Sequence, residues 1–384
     1  MLTKWGTGLL TELEGSVLRL IRENPNISRL DIAKRLGVSK PVVTNVVARL
    51  ITKGLVEECG TQKTKVGRPK IALRFVPDAW YCVGIELEER YFELIVTDLS
   101  GRVIDSQEER IPRSVEPDSL VSFCKERVEQ ILEKNHLPKE KILGVGIGIA
   151  GMVDPTSRVV RTAPTIGLTN YDLASELSEK LDLDVIVVNR VKAAALAEHR
   201  LGAAQGFQNV LFVFIDSGLG CAVLVDEKIY EGFYGKAGEF GWMITDLDRS
   251  EPELCKEESF GHLARRFSGH AISKRLASLG LSNEGIFDAI THNAELRESL
   301  KGGLKHIAAA VANAVLLFDP QLIILKGRIG QNYYEYIAKI MLSTLKELLP
   351  GQFHENLNLK RGQVERFDVA LGAVFAVQQR FMRL

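Results

Sequence analysis

Apolar positions recur at helical spacing in three short runs at the start of the chain. Leu13, Val17, Leu20 and Ile21 share one face of a segment over residues 11–23, which Asn24-Pro25-Asn26 closes. Ser28 opens a second run, with Asp31 three residues on in a capping-box-like position and Ile32, Ala33 and Leu36 facing inward. Gly37-Val38 makes a tight turn. Ser39 heads a third helix, Pro41 sits near its first turn, where a missing N–H is harmless, and Val43, Val46, Val47 and Leu50 line its buried side. The period then changes: residues 55–59 and 71–75 read as two strands around a polar loop over 60–70.

From residue 79 strands and helices alternate. Strands are predicted at 83–87, 91–99 and 102–105, a helix over 119–135, and a glycine-rich buried strand over 142–149. A helix (172–181), a strand (185–188) and a helix (191–201) follow. The same order returns with strands at 210–215 and 221–225, a long helix over 295–318, a strand at 322–325 and a helix over 332–348. A last strand near 364–367 leads into a helix over 370–381. Hairpins followed by alternating strand and helix, twice over, predict a two-lobed α/β body whose cleft is the default small-molecule site. The expected divisions are 1–78 for the head, 79–189 for the first lobe and 190–384 for the second.

Charge sharpens the division. The 384 residues carry no net charge, yet residues 1–78 hold 14 Lys/Arg against 7 Asp/Glu, so a head of +7 is balanced by a body of −7. A polyanion partner at one end fits that asymmetry. Five cysteines (Cys59, Cys82, Cys124, Cys221 and Cys255) are scattered without CxxC spacing, as expected of reduced thiols in the cytoplasm. No signal-peptide pattern opens the chain, and no stretch reaches the ~18 apolar residues of a membrane span, so no membrane association is expected.

Two short helices joined by a glycine turn make a helix-turn-helix, whose second helix enters the DNA major groove and reads base edges with its N-terminal end. Here that end carries Ser39, Lys40, Val42, Thr44 and Asn45, with Arg49 further along. Lys40 suits phosphate or guanine, Asn45 suits adenine, and Val42 suits a thymine methyl. The strand–loop–strand segment that follows is the wing of a winged helix. Its loop carries Lys63, Lys65, Arg68 and Lys70, and the extended Gly67-Arg68-Pro69 suits a narrow minor groove.

Six segments, in order, resemble the ROK family of repressors, open reading frames and sugar kinases. They are Ser28-Arg-Leu-Asp-Ile-Ala-Lys-Arg-Leu-Gly-Val-Ser39, Gly67-Arg68-Pro69, Gly146-Ile-Gly-Ile-Ala-Gly-Met-Val-Asp154, Val188-Asn189 with Ala193-Ala-Ala-Leu-Ala-Glu198, Ala237-Gly-Glu-Phe-Gly-Trp242, and Phe318-Asp319-Pro320 before Gly327. The resemblance implies an actin-like ATPase, sugar-kinase-like body, and the winged head marks the repressor branch of the family. It further implies double-stranded operator DNA and a small sugar effector as partners, and a homodimer or homotetramer.

The departures from the kinase pattern are informative. Where the resemblance implies an Asp-x-Gly-Gly-Thr phosphate turn, the chain has Glu86-Leu87-Glu88-Glu89-Arg90, and the second phosphate loop reads Asp216-Ser217-Gly218-Leu219-Gly220. The catalytic base implied after Asn189 is replaced by Arg190, which cannot accept a proton at neutral pH. Lys326-Gly327-Arg328 stands where three glycines are implied near adenosine. No catalytic residue is therefore expected, and ATP is not expected as a cofactor. The zinc signature is reduced to Cys255, with Trp242 at the histidine position, so no metal is expected either. The sugar-contacting positions Asn189, Glu239 and Glu257 survive in type, with Glu258 the alternative register. Trp242 offers either a flat face to a sugar ring or a plug for the space left by zinc. Trp242 and Arg190 together suggest a ligand other than plain glucose, a disaccharide among the candidates. An active sugar kinase with a DNA-binding head and a DNA-binding architectural module with a vestigial body are the rival readings. The segment over 76–81, which joins wing to body, is the expected relay between them.

Overall fold

The computed structural model of the chain describes residues 9–62, 70–88, 91–111, 116–246, 261–278 and 293–383. They fall into two compact units. The first holds the chain up to Val153, Arg158–Ala193 and everything from Val369; the second holds Asp154–Ser157 and Ala194–Asp368.

The first unit opens with the head. Helix α1 (Glu12–Glu23) starts at a capping box in which Thr11 and Glu14 each satisfy the other's backbone N–H. Helix α2 (Arg29–Leu36) is capped by Ser28 and ends at Gly37, whose φ of +66° is the left-handed conformation glycine adopts without penalty. Helix α3 (Lys40–Thr52) follows directly. Strands β1 (Val56–Gln62) and β2 (Lys70–Phe75) pair antiparallel from Val56↔Phe75 to Gln62↔Lys70, which brackets the wing loop where the sequence predicts it. Leu73 N–H donates to the Ile27 carbonyl, so the α1–α2 turn adds an edge to the wing.

Strands β3 (Tyr81–Glu88), β4 (Tyr91–Asp98) and β5 (Val103–Glu109) form the antiparallel part of the first body sheet, with helix α4 (Pro117–Lys134) after them. Strand β6 (Ile142–Ile149) occupies the predicted range. A small sheet of β7 (Met152–Val153), β8 (Val160–Ala163) and β9 (Leu168–Tyr171), absent from the sequence reading, precedes helix α5 (Leu173–Leu181), strand β10 (Val185–Asn189) and helix α6 (Arg190–Leu201). The order is β10-β6-β3-β4-β5, with β6 and β10 parallel to β3.

The second unit repeats this plan. Strands β11 (Val210–Ile215), β12 (Leu219–Val225) and β13 (Lys228–Ile229) are antiparallel. Helices α7 (His262–Arg266), α8 (Gly269–Ser278) and α9 (Ala294–Phe318) lead to strand β14 (Leu322–Lys326). Helices α10 (Gly327–Asn332), α11 (Tyr334–Leu348) and α12 (Gly351–His354) then precede strand β15 (Leu359–Arg361), giving the order β13-β12-β11-β14-β15. The last strand therefore lies before the expected 364–367. Beyond Arg361 the ladder to β14 stops, because the Val364 N–H is taken by the buried Glu198 carboxylate at 2.8 Å.

Helix α13 (Asp368–Met382) corrects the expected second lobe of 190–384, since from Val369 it belongs to the first unit. Its backbone lies directly on the first sheet. A Cβ at Gly84 or Gly146 would stand 2.3 Å from the carbonyl oxygens of Ala370 and Ala373 respectively. Those glycines make the close approach possible. Helix α9 corrects a second expectation, because its 25 residues are long and apolar enough to cross a membrane. Half of its most apolar stretch is buried, and Leu304, Ile307, Val311 and Val315 belong to the core of the second unit, so we read it as a core helix. Among the described residues, Cys59, Cys82, Cys124 and Cys221 are free thiols, in line with the expectation for those four.

Candidate nucleic-acid interface and effector loop

Helix α3 separates its two jobs by face. Val43, Val46, Val47 and Leu50 are buried at 1% exposure or less, while Ser39, Lys40, Val42, Thr44, Asn45 and Arg49 face solvent. Ser39 occupies the N-cap position, yet its hydroxyl makes no capping bond and is not spent on the helix. Thr44 Oγ1 donates to the Lys40 carbonyl. The structure thus brings five of the predicted base-reading residues together on one exposed N-terminal face.

Two of the expected DNA cations are engaged inside the head instead. Arg49 Nε donates to Glu14 Oε1 at 2.7 Å, and Lys53 Nζ reaches Glu14 Oε2 at 3.2 Å. Burial would push the Glu14 carboxyl up, but the Thr11 N–H, Arg49 and Lys53 outweigh it and bring its pKa down to about 2. Lys70 Nζ donates to Asp31 Oδ1 at 2.7 Å, and Ser28 Oγ donates to Asp31 Oδ2. Lys70, followed by Ser28, lowers the Asp31 pKa, and the contact locks the base of the wing to α2. Lys63, Lys65 and Arg68 lie outside the described residues.

The first unit also carries Asn189, at the end of β10. Its Oδ1 accepts from the N–H groups of Val191 and Lys192 at 2.9 and 3.2 Å, and its Nδ2 donates to the Gly151 carbonyl at 2.8 Å. Asn189 therefore caps α6 and ties it to the end of β6, which leaves little of the amide to bridge two sugar hydroxyls.

Arg190 follows at once, and the structure gives it partners the sequence could not. Its Nη1 donates to Glu88 Oε1 at 2.5 Å and its Nη2 lies 3.0 Å from Glu86 Oε1, with all three side chains at least 84% buried. Arg190, Glu86 and Glu88 therefore form one ion triad. Glu88 is thus a charge already countered by Arg190; Glu89 lies outside the described residues. Beside the triad, Tyr91 donates to Glu93, and burial followed by Glu93 raises the Tyr91 pKa.

The second unit repeats this pairing. Asp216 is 4% exposed, and its Oδ1 accepts from Arg328 Nε and from the Ser217 N–H at 2.8 and 2.9 Å. Two of the departures in that unit, Asp216 and Arg328, are again partners. Lys326 is sealed at 1% exposure between Glu198 (3.0 Å) and Asp368 (3.2 Å) and donates to the Val364 carbonyl, so its ammonium is spent inside the protein.

The loop bearing Glu239 and Trp242 lies along β12. Gly238, at φ +91°, accepts from the Cys221 N–H, and a Cβ there would stand 2.1 Å from the Cys221 carbonyl oxygen. This contact fixes where Glu239 leaves the sheet. Glu239 is half-buried, and Trp242 is 47% exposed, which favours a platform over a core plug. Asn189 belongs to the first unit, Glu239 and Trp242 to the second. Glu257, Glu258 and Cys255 lie outside the described residues. An indole N–H has no lone pair to give a metal, so Trp242 does not fit a zinc ligand.

The sequence reading missed one polar cluster in the second unit. Arg266 donates to Asp246 at 2.7 Å and lies within 3.4 Å of His262 Nε2 and 3.3 Å of His306 Nε2. Burial and Arg266 together lower the His306 pKa. Spacing along the chain gave no sign of it, because its members come from three separate segments.

Comparison with known proteins agrees with both halves of the chain. Residues 82–380 match the ROK family and residues 10–58 match the MarR family. The xylose repressor of Caldicellulosiruptor bescii is 26% identical, covering 94% of each chain. The DNA-binding transcriptional dual regulator NagC of Escherichia coli is 25% identical over 96% of this chain and 92% of its own. In three dimensions, the crystal structure of a ROK family transcriptional regulator, a homologue of the E. coli Mlc protein, superposes with a TM-score of 0.84 at 22% identity over 97% of each chain. That last likeness bears on the fold, which is a sugar-kinase-like body behind a winged head.

Proposed function

The chain belongs to the ROK family, and because a winged head precedes its body we propose that it is a sugar-responsive transcription repressor acting in the cytoplasm. The observation that carries this reading is helix α3. Its apolar stripe is buried and its N-terminal face offers Ser39, Lys40, Val42, Thr44 and Asn45 to solvent. The named repressors of xylose and N-acetylglucosamine that it resembles support the same reading. Two copies of the head, in a homodimer or homotetramer, would read two half-sites of a palindromic operator about one helical turn apart.

The effector is a sugar, with Glu239 and its platform Trp242 as the contacts of the second unit; Asn189, in the first unit, has at most one amide N–H left for a ligand. Glu257, Lys63, Lys65 and Arg68 remain part of the proposal as sugar and DNA contacts. The protein is not a kinase. Arg190 cannot serve as general base, and its guanidinium is held by Glu86 and Glu88. Neither ATP nor zinc is required. Sugar acts by binding one arrangement of the body more tightly than another, which shifts operator affinity by that difference.

Selection of bound duplexes from a random pool, followed by anisotropy titration with and without a sugar panel, tests the reading. A two-fold symmetric site whose affinity responds to one sugar is expected. If the pool yields no enriched sequence, the repressor reading fails. ATP-dependent phosphorylation of any panel sugar would instead support the kinase.

A further inference from the structure

Helix α7 holds the turn of Glu239 and Trp242 at both ends. At the near end the hold is backbone on backbone. A Cβ at Gly261, the residue that opens α7, would stand 2.3 Å from the Gly241 carbonyl oxygen and 2.5 Å from Trp242 Cα. A Cβ at Gly241 would stand 2.9 Å from the Leu219 carbonyl oxygen, so the turn is pressed between the starts of α7 and β12. Phe240, buried in the core of the unit, anchors it there. Past Trp242 the apolar anchor weakens, because Met243 is half-buried and Ile244 is 63% exposed. Polar side chains take over. The Thr245 hydroxyl lies 2.8 Å from His306 Nδ1 on α9, and Asp246 Oδ2 stands 2.7 Å from Arg266 Nη2 on α7. Arg266 also directs Nη1 at His306 Nε2 (3.3 Å) and Nε at His262 Nε2 (3.4 Å). Both of those ring nitrogens then accept, which leaves the His306 proton on Nδ1, aimed at Thr245. One guanidinium thus faces three acceptors, a task that suits its planar fork and not an ammonium.

We propose that Arg266, with Asp246 and His306, is a positioning clamp for the effector loop. It acts through the loop, by fixing the far end of the segment that sets the Trp242 indole and the Glu239 carboxylate toward a sugar. The proposal rests on the sugar reading of those two residues. Placement distinguishes a clamp from a general brace. Asp246 lies four positions after Trp242, with no fully buried side chain between them. Freedom released at Asp246 therefore passes to the indole, whereas the near end stays pinned by Phe240 and the glycine contacts. A platform kept at one angle loses less freedom when a ring settles on it, so the clamp strengthens binding by preorganisation.

Trp242 emission in the full chain tests this without DNA or sugar. The Trp242 contribution is the difference between each protein and its Trp242→Phe counterpart, and acrylamide quenching reads its accessibility. Asp246→Asn and Arg266→Ala should each shift that contribution and raise its quenching constant, and the double variant should match Arg266→Ala, because the two residues act as one unit. Arg266→Lys, which keeps the ion pair and loses the fork, should fall between and keeps the test open if Arg266→Ala does not fold. A brace for the fold alone would lower the melting temperature and leave the Trp242 signal as it was. D-xylose, D-glucose and N-acetyl-D-glucosamine are the ligand probes. Whichever binds the wild type should lose affinity by roughly tenfold in Arg266→Ala, the loss expected of one hydrogen bond to a charged group. A Trp242 contribution unchanged in Asp246→Asn and Arg266→Ala overturns the proposal, and so does a changed contribution with sugar affinity at the wild-type level. If no sugar binds the wild type, the sugar reading fails, and the Trp242 signal alone decides whether the clamp holds the indole.

Discussion

The Leu9 N–H donates to the Phe381 carbonyl at 2.6 Å, which keys the start of the head to the end of the C-terminal helix. Arg383 pairs with Glu12 at 2.9 Å, Arg19 donates to the Arg383 carbonyl, and Gly15 packs against Met382 and Arg383. Helix α13 is therefore a second structural connection between head and body, beside the expected one over residues 76–81.

Truncating the buried end of that helix should be felt in the head. Phe381 is 2% exposed, and Phe381→Ala should cost about 3–5 kcal/mol. Hydrogen exchange should report the loss in α1 as well as in α13. If protection in α1 stays at the wild-type level, the two are not coupled in this way.

Glu14 predicts a pH signature. Its folded pKa of about 2 lies below the ordinary 4.5, so its contribution is present above pH 4.5 and fades as pH falls toward 2. The shift corresponds to on the order of 3 kcal/mol at neutral pH. Glu14→Gln should lower head stability by an amount that is constant at neutral pH and shrinks through this acid window. Denaturant midpoints of both proteins between pH 2 and 7 would show whether the difference closes.

Lys40 and Lys70 should behave differently on DNA. Lys40 is exposed at the start of α3, so Lys40→Ala should weaken binding on all sequences and reduce the salt slope by about 1. Lys70 is tied to Asp31, so Lys70→Ala should loosen the wing and leave the salt slope as it was. Asn45→Ala should relax preference at one base pair, at a cost of about 1–3 kcal/mol on the best site. Binding isotherms across a salt series separate the three.

Trp242 makes the effector visible. An indole half in water changes emission when a sugar ring covers it, so titration with the cognate sugar should alter tryptophan fluorescence, and Trp242→Phe should abolish the change. A sugar that shifts the melting temperature while leaving the Trp242 signal untouched would place the ligand elsewhere.

The legibility of this chain follows the range of its interactions. Residues 142–149 and 210–215 were readable to the residue because continuous apolar runs encode buried strands locally. The faces of α3 were readable for the same reason. Strand β15 was not, because its three residues are fixed by pairing with β14 and by Glu198, 166 positions from Val364. The second role of Arg49 and the engagement of Lys70 depend on Glu14 and Asp31, which are neighbours only once the head has folded. The membership of α13 in the first unit likewise depends on Gly84 and Gly146, more than 200 residues earlier in the chain.

The clasp of Arg190 by Glu86 and Glu88 also bears on which substitutions the body can tolerate. One substitution that set an aspartate at 190 would confine three carboxylates where a guanidinium now balances two, and an uncompensated buried charge costs about 3–5 kcal/mol. Replacing Glu88 alone would instead leave Arg190 with one buried partner fewer. Each single change at 190 or 88 is thus uphill, whereas in the second unit Arg328 is largely exposed and only its loss would strand a buried charge, that of Asp216. The triad is thus self-locking: exchanging its charges without leaving a buried imbalance takes coordinated changes at positions about a hundred residues apart.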